Sequence, residues 1–80
     1  MEEGLSTVVR RKVTQFLKNA EDYELRDLCG VVIREVEKPL IELVLKKNQG
    51  NQLRAARMLG INRNTLRKKI QQLGIGQDSP

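Results

Sequence analysis

A run of apolar residues at helical spacing restricts the fold more than any other feature. It begins near Asp22 and passes through Leu25, Leu28, Val32, Val36, Leu40, Ile41 and Val44 to about Lys47. Recurrence every three to four residues aligns these side chains along one side of a helix. Two stretches inside the run, Leu28 to Ile33 and Leu40 to Leu45, are apolar on more than one face. A helix on the surface of a monomer carries a single apolar stripe, so another surface must cover the remainder. Few apolar residues are left elsewhere for an internal third layer. Symmetric pairing with a second copy supplies the cover, the two-fold dimer being the commonest assembly. Pro39 lies within the run, lacks a backbone N–H and clashes with the preceding turn. Because the apolar register continues beyond it, a kink is expected there rather than a break.

An earlier helix is expected over residues 5–20, where Leu5, Val9, Val13, Phe16 and Ala20 recur at the same spacing with Val8 and Leu17 beside them. Ser6 or Thr7 is suited to cap its first turn, and Asp22 to cap the helix that follows. Eighty residues with Phe16 and Tyr23 as the sole aromatic side chains leave aliphatic residues to drive folding. A chain this short buries a limited share of its surface, which again favours a partner copy. The expectation is an all-α single domain over residues 1–80, with four helices. Residues 5–47 form a two-helix dimerisation core, with Val13, Phe16, Leu28, Val32, Val36 and Leu40 in the homodimer interface. Cys29, on the same apolar run, is expected in the core or interface.

The second half is punctuated differently. In Asn48-Gln49-Gly50-Asn51, Gly50 suits a left-handed helix end and Asn51 the next N-cap. A short helix over Gln52–Leu59, a turn at Gly60-Ile61-Asn62 and a helix from Arg63 to Leu73, stopped by Gly74, make a helix-turn-helix over residues 51–73, followed by a tail over 74–80 that is expected to fray from Gly76 onward. Ala55 and Ala56 are small enough for a close helix crossing, and Leu59, Ile61, Leu66 and Ile70 fill the angle.

Charge separates along the chain. Residues 1–45 hold seven Lys/Arg against nine Asp/Glu, whereas residues 46–80 hold eight Lys/Arg against Asp78 alone. A basic segment on an otherwise balanced chain is the footprint of a polyanion, since each neutralised phosphate releases condensed counterions. The segment lacks aromatic platforms for stacking unpaired bases, which points to double-stranded DNA. The N-terminal end of the second helix of such a motif enters the major groove, bringing Arg63 and Asn64 to base edges. Thr65, Arg67, Lys68 and Lys69 further along it, with Asn51, Gln52 and Arg54 on the first helix, suit phosphate contact.

Other classes are disfavoured. The chain has no His, the usual general base and commonest metal ligand, and a single Cys, so neither enzyme activity, a cofactor, a metal nor a small-molecule substrate is expected. No apolar stretch is long enough to span a membrane and Met1-Glu2-Glu3 does not open a signal peptide, so a cytoplasmic address is expected. A helical adaptor whose basic face binds an acidic protein is the competing reading from a different class.

Val36-Glu37-Lys38-Pro39-Leu40, Gly50-Asn51-Gln52, Arg54-Ala55-Ala56 and the run Gly60-Ile61-Asn62-Arg63-Asn64-Thr65-Leu66-Arg67-Lys68-Lys69 together resemble the Fis family of bacterial nucleoid-associated regulators. The same module closes the NtrC-type enhancer-binding activators, and a C-terminal fragment of one of those would look similar. The resemblance is dense from about Asp27 to Ile75 and looser over the first helix. It implies an intertwined dimer, DNA bending, degenerate target sites, Arg63 as the principal base reader, and Asn62, Thr65, Arg67 and Lys68 as phosphate anchors near Asn51 and Gln52. This sequence departs from the pattern at Leu53, where a small polar residue is common, and at Gln71 and Gln72, which replace a basic pair. The N-terminal arm through which longer Fis proteins contact recombinases is expected to be absent, about four residues preceding the first helix.

Overall fold

The computed structural model describes residues 3–19 and 26–76, and its four helices follow in chain order: α1 (Leu5–Asn19), α2 (Leu28–Lys47), α3 (Gln52–Leu59) and α4 (Arg63–Leu73). Among the described residues there is no strand. The all-helical expectation holds, and the two helices of the C-terminal motif have the expected ends.

The starts of α1 and α2 depart from expectation. The Gly4 carbonyl accepts from the N–H groups of Thr7 and Val8, at 3.1 and 3.3 Å, so α1 begins ahead of Ser6 and Thr7, which lie inside it. The helix expected from Asp22 begins instead at Leu28, because Asp27 adopts a left-handed backbone conformation (φ 53°, ψ 38°) that interrupts a right-handed helix. Aspartate tolerates this conformation better than most side chains. Its carboxylate folds back over the first turn, where a Cβ at Gly30 would meet it at 2.5 Å, so a larger residue there would make this exposed carboxylate turn aside. Asp22, like Ala20, Tyr23 and Leu25, lies outside the described residues.

α2 continues through Pro39 for 20 residues without a break. The proline has no N–H to offer the Glu35 carbonyl, so one rung of the helical ladder is missing at that turn. The C-terminal half of α2 joins the motif: Ile41 is buried with Ala55 and Ala56 of α3, Leu66 and Ile70 of α4, and Ile75, and Val44, Leu45, Leu59, Ile61 and Leu73 pack around them. Ala55 and Leu66 are wholly inaccessible, as the close crossing of α3 and α4 demands. Fully burying a side chain such as Leu66 or Ile70 contributes about 1.5–3 kcal/mol.

The other half of α2, and the outward side of its C-terminal half, have no such cover. α1 buries no residue, and among the described residues it packs closely on no other helix. It faces α2 across a cleft of about 610 Å³ lined by Val8, Val9, Val13, Phe16, Val31, Val32 and Val36, together with Lys12 and Glu35. Ile33, Leu40 and Leu43 are 47%, 46% and 65% exposed, and Val36 and Phe16 are also open to solvent. Val13, Leu28 and Val32 are half-buried. Cys29, expected in a core or interface, is exposed in the single chain, since the first turns of α2 extend beyond the reach of α3 and α4.

Candidate nucleic-acid interface

Both helices of the C-terminal motif start on an asparagine that acts as expected. The Asn51 side-chain oxygen accepts from the Arg54 N–H at 3.0 Å, and that of Asn62 accepts from the Asn64 N–H at 2.7 Å. Each cap satisfies one donor that a helix start otherwise leaves open. It also fixes the direction from which α4 leaves the turn, and hence where Arg63 and Asn64 emerge.

The turn between the helices is closed by the backbone. Ile61 donates to the Ala56 carbonyl at 3.0 Å and Gly60 to that of Arg57 at 3.2 Å, with Gly60 left-handed at φ 76°. This paired closure needs a residue that bears positive φ without strain, and glycine does so. The same pattern ends α4, where Ile75 donates to the Ile70 carbonyl at 3.0 Å. Ile75 is thereby carried into the core, where it is 3% exposed. Ile75 is expected in the tail that follows the motif, and the closure at Gly74 makes it part of the core instead. Residues 77–80 lie outside the described residues.

Sealing the inner face leaves the outer face polar and basic. Arg63, Asn64, Thr65, Arg67 and Lys68 of α4, the caps Asn51 and Asn62, and Arg54 of α3 are all exposed, whereas Gln52 is half-buried. Among these side chains, and among the described residues, only the two asparagine caps enter an internal hydrogen bond, leaving the arginines and Lys68 open. Leu53 sits half-exposed in the first turn of α3 beside Arg54, an apolar interruption of the polar rim.

Lys69 is placed differently from its neighbours. Its ammonium donates to a Glu37 carboxylate oxygen of α2 at 2.9 Å, and both side chains are only 29% exposed. The expectation that grouped Lys69 with Lys68 at the phosphates did not foresee this pairing, which its helical position allows. Lys69 follows Leu66 by three residues and precedes Leu73 by four, so it flanks the buried stripe. Glu37 precedes the buried Ile41 by one turn, and sequence reasoning missed it for the same reason.

Two short helices joined by a tight turn on a shared buried core, with capped starts and a basic outer face, define the helix-turn-helix class. The family model described as bacterial regulatory protein, Fis family, matches residues 32–73, from the second turn of α2 to the end of α4. The chain belongs to that family. Among the described residues no helix is long and apolar enough to cross a membrane.

Proposed function

We propose that the chain is a sequence-preferring double-stranded DNA-binding regulator that acts as a homodimer and serves bacterial transcription or nucleoid architecture, bending its target. The observation that carries this reading is the exposed face of α4, where Arg63, Arg67 and Lys68 stand free of internal partners above a core that buries the opposite face. In this reading the start of α4 enters the major groove, Arg63 pairing with the O6 and N7 acceptors of guanine and Asn64 with adenine. Asn51, Gln52, Arg54, Asn62, Thr65, Arg67 and Lys68 hold phosphates and set the docking register without reading sequence. The exposed stripe Ile33, Val36, Leu40 and Leu43, with the apolar cleft between α1 and α2, supports the dimer, because the single chain leaves too much apolar surface in water. Two recognition helices on one dimer address neighbouring turns of the groove. If their separation falls short of the roughly 34 Å helical repeat, the DNA must bend to meet both.

Equilibrium binding to a random duplex over a range of salt concentrations tests the reading against that of an acidic-protein adaptor. Affinity should fall steeply with salt, and Arg67→Ala should reduce the slope by about one. Undetectable or salt-insensitive duplex binding contradicts it.

A further inference from the structure

The pair formed by Glu37 and Lys69 lies 32 positions apart in sequence and joins the recognition helix to α2. Among the described residues it is the one side-chain ion pair or hydrogen bond between those two helices. Its site on α2 is particular in two ways. Glu37 adjoins Val36 and precedes Leu40 by three residues, so the turn that holds Lys69 also presents the exposed apolar stripe. Two residues on, Pro39 removes the rung that would tie the Glu35 carbonyl, so this turn has one backbone tie fewer than the rest of the interior of α2. An ion pair anchored there fastens α4 to the turn where the helix has lost a backbone tie.

A partly buried charge pair is a poor source of net stability, but it is demanding about geometry, since losing either partner leaves the other charge half-desolvated. We infer that Glu37 and Lys69 are positioning residues: their ion pair holds α4 at a set height and tilt relative to the apolar face of α2. It thereby selects the separation of the two DNA half-sites that the dimer accepts. This rests on the dimeric DNA-binding reading above. Lys69 acts through Glu37 and contacts no phosphate, and the neighbouring Lys68, exposed on the outer face, performs the phosphate role.

The test compares the wild-type chain with Glu37→Gln, Lys69→Met and the reversed pair Glu37→Lys with Lys69→Glu. Each is titrated with a preferred duplex, with duplexes whose half-sites are one base pair closer or further apart, and over a range of salt. Glu37→Gln and Lys69→Met should both flatten the preference for the best spacing by on the order of tenfold, within the range of coupled side-chain pairs, and leave the salt slope unchanged. The reversed pair should restore the preference, an outcome that a phosphate contact at Lys69 would not allow. The inference is overturned if Lys69→Met lowers the salt slope by about one while Glu37→Gln leaves the spacing preference intact, because Lys69 would then be a phosphate ligand. It is equally overturned if all variants match the wild type, which would make the pair idle. Failure of the wild-type chain to bind any duplex would instead remove the functional reading itself, and the inference with it.

Discussion

The Asn62 side-chain oxygen accepts the Asn64 backbone N–H at 2.7 Å, so one end of this amide closes the first turn of α4 while its other end stays free to donate. The resemblance to Fis proteins makes Asn62 a phosphate anchor, and the geometry allows it to cap and anchor together. Asn62→Asp separates the two roles, since aspartate caps as well as asparagine but brings a negative charge to the phosphate. Its thermal midpoint should match the wild type while duplex affinity falls. Asn62→Ala should lose about 1 kcal/mol of stability, measured by denaturant titration. Undiminished affinity in Asn62→Asp would take Asn62 out of the phosphate set.

Arg63 follows that cap and is exposed. Arg63→Ala should cost on the order of 1–3 kcal/mol at a preferred site and much less on random duplex, a difference read by competition binding. Equal losses on both would make it a phosphate contact.

Leu66 is fully buried where α4 crosses Ala55 and Ala56. Leu66→Ala should therefore destabilise the chain by about 2–5 kcal/mol, through lost transfer energy and an incompletely collapsed cavity. Ala56→Leu should cost about 1–3 kcal/mol by prising α3 from α4. Chemical denaturation monitored by circular dichroism measures both, and a neutral Ala56→Leu would show that the crossing has slack.

The exposed stripe on α2 gives a test of assembly. Leu40 is 46% exposed in the single chain, so if the chain is a monomer Leu40→Glu should change stability by no more than about 0.5 kcal/mol. In the proposed dimer it places an unpaired charge in an apolar interface and should shift the mass in sedimentation towards one chain. The wild-type thermal midpoint should rise with protein concentration. A concentration-independent midpoint with a monomeric mass would remove the dimer.

Much of this molecule was legible in its sequence, and the rest was hidden for separate physical reasons. The helix-turn-helix announced itself because each punctuating residue has a local job: Asn51 and Asn62 cap, Gly60 bears positive φ, and Ala55 and Ala56 permit a crossing. Such jobs depend on neighbours within a few positions, which sequence displays. The start of α2 did not, because Leu25 and Leu28 continue a helical rhythm across Asp27, and a rhythm of apolar residues is silent about the backbone angle of a polar one. The pairing of Lys69 was hidden for another reason. Its partner lies 32 positions away, and charge type alone cannot tell a lysine facing a phosphate from one facing a carboxylate. Its place beside Leu66 and Leu73 was the available signal. Ile75 looked like tail because it follows Gly74, yet the closure that glycine permits is what draws it into the core.

The central claim is that two copies present two α4 helices to one duplex. Chemical protection of guanine N7 on a bound target, combined with the mass of the complex, tests it most directly. The account predicts two chains per site and protection in two major-groove segments about 10 base pairs apart on one face of the DNA. One chain per site with a single protected segment would contradict it.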